Sequence, residues 1–115
     1  MITNDTKTTL LALLAIGVCD ALLDEKITLR KAEQLLFSPY AMRESSSLAK
    51  EIAELIHKGT ELDDIRSLIP SDYKPTVEKI RNLAVACLAG MEDEIKSSED
   101  HWMKLLITVN DGLVA

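Results

Sequence analysis

Two cysteines and two histidines are the side chains of this chain with the widest chemistry, because both residue types can carry protons or bind metals. Cys19 and Cys87 each lie in an apolar run, and neither has a second Cys or a His at metal-ligand spacing. His57 falls in the last turn of one predicted helix, and His101 near the start of another. The motifs HExxH, CxxC, GxSxG and GxxxxGK do not occur. We therefore predict two buried thiols, with a disulfide between them as the alternative that the spacing permits. We also predict two structural or surface histidines, no catalytic residue, no metal and no cofactor.

Clustered carboxylates are the second group with possible chemistry, at positions 63–64 and 92–94. Neighbouring residues on a helix diverge by about 100° each, so these acids do not converge on one metal ion or proton. Asp20 is different, because it interrupts an apolar helical run. A carboxylate there must reach solvent or find a cation. Two interpretations stay open: an edge position with solvent access, or a salt bridge to a residue such as Arg30 or Arg81.

The charge distribution indicates which partners this chain suits. The net charge of the chain is −6, and most of it lies in residues 59–115, which carry eleven acidic and six basic side chains. Such a surface repels phosphates, so nucleic-acid binding is disfavoured, whereas a basic protein would be attracted. The same acidity also serves simple solubility. The predicted partner-binding residues are Glu61, Asp63, Asp64, Glu92, Asp93, Glu94, Glu99 and Asp100.

The elements that position these residues are predicted to be helices. A chain of 115 residues is long enough to bury a core without disulfides or metals, and 47% of its residues are apolar. We predict an all-α fold over residues 1–115: a single compact bundle of about five to six helices around a central apolar N-terminal helix. That helix, over residues 7–24, is predicted to turn one stripe inward, formed by Leu10, Leu13, Leu14, Gly17, Val18, Ala21 and Leu22.

The apolar N-terminal stretch also raises the question of a membrane or a signal peptide. A membrane-spanning helix needs about 20 apolar residues, but this run meets Asp20 after a dozen uncharged positions. A secretory signal needs a basic start, whereas here Asp5 offsets Lys7. A lipoprotein signal has Gly or Ala directly before its cysteine, whereas Val18 stands before Cys19 here. We therefore predict a cytoplasmic protein without membrane association.

Local signals predict where the following helices begin and end. Thr28 is placed to cap a helix over residues 28–37, and Ser38 followed by Pro39 starts the next one. The serines at 45–47 predict a break, after which the helix resumes, with Leu48, Ile52, Leu55 and Ile56 inward.

Two further helices are predicted after Gly59, which is expected to end the preceding one. Thr60 is expected to cap a short helix with Leu62, Ile65 and Leu68 inward, closed by Pro70. The longest helix opens at residues 74–75, and its predicted seam is Val77, Ile80, Ala84, Cys87, Leu88, Met91 and Ile95.

The C-terminal segment is compatible with two structures. Trp102, Leu105, Leu106 and Val109 fit a last amphipathic helix capped by Ser97 or Ser98. Residues 106–115 also fit a short hairpin, because the residues at 110–112, Asn-Asp-Gly, form a typical hairpin turn.

Two segments carry a resemblance to known proteins: residues 17–23, GVCDALL, and residues 32–40, AEQLLFSPY. They resemble a family of small bacterial proteins known only as a domain of unknown function. The resemblance implies a bacterial source and a compact single domain, and it supplies no catalytic or binding residues.

Three functions remain in competition. The first is a non-enzymatic protein-interaction module, such as an immunity-like or antitoxin-like inhibitor whose acidic surface covers the basic site of a partner. The second is a self-associating structural or adaptor protein, a homodimer for which the apolar C-terminal residues 113–115 offer a contact. The third is an enzyme or small-ligand sensor, which requires His57 or His101 to converge with Asp20 or an acidic cluster.

Overall fold

Six α-helices and two short 3₁₀-helices make up residues 3–91, the part of the chain that the computed structural model describes. The helices are α1 (Asn4–Leu23), α2 (Leu29–Leu35), α3 (Pro39–Glu44), a 3₁₀-helix (Ser45–Ser47), α4 (Lys50–Thr60), α5 (Leu62–Leu68), a second 3₁₀-helix (Pro70–Asp72) and α6 (Tyr73–Ala89). No strand occurs among the described residues. The predicted all-α bundle with an apolar N-terminal helix is confirmed. The predicted C-terminal helix or hairpin, with its caps and apolar stripe, lies outside the described residues.

Side-chain caps start α2 and α3 where the sequence predicts them. The Thr28 hydroxyl oxygen accepts a hydrogen bond from the backbone N–H of Lys31 at 3.1 Å. The Ser38 hydroxyl oxygen accepts one from the N–H of Ala41 at 3.1 Å, and Pro39 occupies the first turn. The serines at 45–47 form a 3₁₀-helix that separates α3 from α4, which confirms the predicted break.

The junction between α4 and α5 differs from the prediction. Gly59 does not end α4, and Thr60 does not cap α5. The Thr60 hydroxyl instead donates to the carbonyl oxygen of His57 at 2.6 Å, within the last turn of α4, and Glu61 begins α5 without a side-chain cap. Gly59 is required by packing, because a Cβ at this position would overlap the buried ring of Phe37.

The core lies where α6 packs against α1, α4 and α5. α6 buries the predicted residues Val77, Ile80, Ala84 and Cys87, and α4 buries Ile52, Leu55 and Ile56. From α1 the fully buried residues are small: Ala12, Ala15 and Cys19. Small side chains let two helix backbones approach closely, so α1 and α6 form the centre of the bundle.

The buried side of α1 differs from the predicted one. Leu13 and Leu14 were expected in the core but are 52% and 39% exposed, while Val18 and Leu22 are buried as predicted. On α5, Leu62 is buried as predicted, but Leu68 is 79% exposed. α1 is apolar on more than one side, so its periodicity alone does not decide which side the other helices cover.

Candidate functional site

The two thiols are buried and free, as predicted. Burial, and secondarily the neighbouring Asp20 carboxylate, raises the pKa of Cys19 from 9.0 to about 12, and the Arg81 guanidinium opposes this rise. Burial, and secondarily the Glu51 carboxylate, also raises the pKa of Cys87. A thiol that stays protonated at neutral pH is a poor nucleophile and metal ligand. These cysteines therefore act as small core residues.

Asp20 forms an ion pair that joins the first and last described helices. The Arg81 Nε donates to the Asp20 Oδ1 at 2.7 Å, and both side chains are about half exposed. The two interpretations of Asp20 are thus both correct: the residue lies at an edge with solvent access, and it pairs with Arg81 rather than Arg30. Since water reaches both partners, the pair contributes little stability, about 0.2–1 kcal/mol.

The histidine that the structure describes, His57, does not belong to a metal-holding group of side chains. His57 is exposed in the last turn of α4, as predicted, at the negative end of the helix dipole. Within residues 3–91 no group of three or more His, Cys, Asp or Glu side chains has the geometry to hold a metal ion. His101 lies outside the described residues.

Three of the predicted partner-binding acids lie together where α4 meets α5. Glu61, Asp63 and Asp64 are all exposed there. Arg66 donates to Asp63 at 3.1 Å, so one of the three charges is partly neutralised, and the same guanidinium lies 6.0 Å from the centre of the Tyr73 ring. The other predicted acids lie outside the described residues: Glu92, Asp93, Glu94, Glu99 and Asp100.

An open groove, which the sequence interpretation did not single out, runs between the first half of α1 and the segment from α2 to α4. Its volume is about 740 Å³. Just over half of its lining residues are apolar or aromatic: Leu10, Leu11, Leu35, Leu36, Tyr40, Ala41, Leu48 and Ile56. Leu35 and Tyr40 are 51% and 65% exposed, respectively. The sequence held one signal for this groove. Leu35 and Leu36 are adjacent, so their side chains diverge by about 100° on a helix, and one buried side does not cover both fully.

Two of the polar side chains of this groove bond to the local backbone, and the other polar lining residues are Asn4, Lys7, Gln34, Glu44 and Ser47. The Ser38 hydroxyl caps α3, and the Ser45 hydroxyl donates to the carbonyl oxygen of Met42 at 3.2 Å. Lys7 of α1 and Glu44 of α3 supply one charge of each sign to the lining. The groove therefore offers an apolar surface with a mixed polar rim, which suits a chain segment with one apolar face.

α1 also meets the length and composition of a membrane-spanning helix, over Asn4–Leu23. Seven of its residues, however, are buried by the rest of the bundle: Thr6, Thr8, Ala12, Ala15, Val18, Cys19 and Leu22. The core helix of a folded domain has the same apolar composition, so this property does not distinguish the two roles.

Comparison with known families matches residues 3–104 to one family, described as "Protein of unknown function (DUF3969)". The predicted membership of an uncharacterised family is therefore confirmed. No curated protein and no solved structure matches the chain.

Proposed function

The chain belongs to the DUF3969 family of proteins of unknown function, and from this premise we propose that it is a non-enzymatic protein-interaction module. Its binding site is the groove between α1, α2, α3 and α4, and its partner is a protein segment with one apolar face. The observation that carries the proposal is the exposure of Leu35 and Tyr40 in the groove lining.

Exposed large apolar side chains beside a groove are typical of binding surfaces. Burying a large apolar side chain stabilises a protein by roughly 1.5–3 kcal/mol, and the exposed parts of Leu35 and Tyr40 do not contribute this free energy to the fold. A partner that covers them recovers this free energy, and tyrosine is among the residues that dominate binding at interfaces. An amphipathic helix laid into an apolar groove is a common solution for such a surface.

The polar residues of the groove favour a protein segment over a small polar ligand. A small-molecule site uses a few convergent polar groups to orient its ligand. Here the hydroxyls of Ser38 and Ser45 are engaged by the backbone. The remaining charges, Lys7 and Glu44, have opposite signs and suit the polar edge of a helix rather than a single charged ligand.

A photo-crosslinking experiment tests this proposal. A photoreactive phenylalanine analogue at position 40 of the full chain captures the partner in the native cell, and mass spectrometry identifies the crosslinked segment. Calorimetry with the purified partner then compares wild type with Tyr40→Ala, for which we expect about tenfold or greater loss of affinity.

The matched control is Leu68→Ala, which truncates an exposed apolar side chain on α5, away from the groove lining. This variant should bind like wild type. Equal affinities of wild type and Tyr40→Ala would refute the groove as the binding site.

A second candidate function is an immunity-like or antitoxin-like inhibitor of a basic protein in the bacterial cytosol. It is supported by the joint exposure of Glu61, Asp63 and Asp64 at the α4–α5 corner, and the two free thiols fit a reducing compartment. Replacing Glu61 and Asp64 with Lys should then slow association severalfold, with the effect shrinking at high salt. An unchanged association rate would exclude this surface.

A further inference from the structure

α1 carries a second apolar stripe that the bundle leaves unpartnered. Leu10, Leu13, Leu14, Gly17 and Ala21 recur at helical spacing and share one face of α1. Leu13, Leu14 and Gly17 are exposed, and Leu10 and Ala21 are half-buried. Open space surrounds the position that a Cβ would take at Gly17. We call these five residues the outer face of α1.

The outer face of α1 ends in charges of opposite sign. Lys7 lies at its N-terminal end and is exposed. Asp24, also exposed, and the half-exposed Asp20 lie at its C-terminal end. The midpoint of the outer face lies between positions 15 and 16, and Lys7 and Asp24 are equally distant from it along the chain. Leu10 and Ala21 are also equally distant from this midpoint, and so are Leu14 and Gly17, so each of these two pairs joins a large residue with a small one.

We propose that the outer face of α1 is the interface of a symmetric homodimer, in which α1 packs antiparallel to α1 of a second copy. Reversing one helix brings two of the three leucines level with a small residue of the second copy, Leu10 with Ala21 and Leu14 with Gly17. The same reversal places Lys7 of one copy beside the Asp24 carboxylate of the second copy. A two-fold axis produces every one of these pairs twice.

The occupant of this face is a second copy because the face complements itself in both size and charge. A leucine side chain fills the space that a glycine or alanine leaves, so the two helices can approach closely. A parallel arrangement would instead place the acidic ends, with Asp20 and Asp24, against each other, and like charges repel across an interface. The groove lies beside this face, and its lining includes Leu10 and the flanking Lys7. Leu14 and Tyr40 each belong to one surface alone, so Leu14→Glu tests the dimer and Tyr40→Ala tests the proposed partner site.

Sedimentation equilibrium of the full chain over a concentration series tests the dimer. We expect a reversible monomer–dimer equilibrium in wild type and a dissociation constant about 100-fold higher in Leu14→Glu, because each dimer contains this residue twice. The matched control Leu68→Glu changes an even more exposed apolar side chain, on α5, and should dimerise like wild type.

Three outcomes would overturn the proposal. The first is a strictly monomeric wild type at millimolar concentration. The second is a Leu13→Glu variant that unfolds more easily as a monomer. Leu13 is the more exposed of the two central leucines, so this result would mean that residues of the same chain, such as those at 92–115, cover the face. The third is a monomer that binds phospholipid vesicles and loses this binding in Leu14→Glu, since lipid would then be the occupant.

A charge-swap experiment tests the antiparallel orientation. Lys7→Glu and Asp24→Lys should each weaken the dimer by about tenfold, because each places like charges together twice. The double variant should return the dissociation constant to within about threefold of wild type. Lys7 and Asp24 lie about 25 Å apart along one helix, so such a rescue cannot arise within one copy. Single-variant losses without rescue would refute the antiparallel pairing.

Discussion

Adding one methyl group at Gly59 should destabilise the protein, although the same change normally stabilises a helix. In Gly59→Ala the new Cβ would overlap Cγ and Cδ1 of Phe37, whose ring is buried. Alanine has a higher helix propensity than glycine by at most about 1 kcal/mol. Overpacking a filled core costs about 1–3 kcal/mol, because the ring can move only by displacing its own neighbours. The second effect is the larger one.

We therefore expect Gly59→Ala to lower the free energy of unfolding by about 1–2 kcal/mol. For a domain of this size this corresponds to a decrease in Tm of about 4–8 °C. Urea unfolding monitored by circular dichroism measures the free energy directly. Gly17→Ala is the matched control, because Gly17 is also helical and has open space around it. At a concentration low enough to keep the chain monomeric, it should raise stability by about 0.5–1 kcal/mol.

A Phe37→Ala background isolates the cause. Removing the ring costs stability by itself, but Gly59→Ala should then cause no further loss, since alanine lacks Cγ and the ring atoms that the new Cβ would overlap. If Gly59→Ala stabilises the wild-type chain as Gly17→Ala does, the conclusion that the Phe37 ring packs directly against Gly59 of α4 is wrong. If the cost of Gly59→Ala persists in the Phe37→Ala background, the ring is not the cause.

Three other predictions concern α5, the ion pair and the buried thiol. Leu62→Ala should lower the free energy of unfolding in urea by about 2–4 kcal/mol, whereas Leu68→Ala should change it by less than about 0.5 kcal/mol; equal effects would contradict the observed orientation of α5. Asp20→Asn should cost about 0.2–1 kcal/mol in low salt and less in 1 M NaCl, and it should cost nothing more in an Arg81→Gln background. Stability should fall as the pH rises above 9.0, because the Cys19 thiol ionises there when unfolded but stays protonated to about 12 when folded. Cys19→Ala should reduce this slope in pH-dependent urea unfolding, and an unchanged slope would assign the pH dependence to other groups.

Signals that act over a few residues were sufficient to predict much of this fold. Thr28 and Ser38 cap helices because a hydroxyl oxygen reaches a backbone N–H three residues ahead. The apolar spacing in α6 predicts its buried side, since the polar residues between leave one side available for the core. Local signals misled at the end of α4, where Gly59 resembles a helix stop but is required by the ring of Phe37 from a distant part of the chain.

The sequence by itself determined the helical class, the starts of α2 and α3, the break between α3 and α4 and the burial of both thiols. Only the tertiary structure decided which side of α1 is buried, because that helix is apolar on several sides and its periodicity permits more than one packing. Only the tertiary structure selected Arg81 as the partner of Asp20, and it alone formed the groove beside Leu35 and Tyr40. These features join residues far apart in the chain, and the free energy that brings them together comes from packing the whole bundle rather than from any local preference.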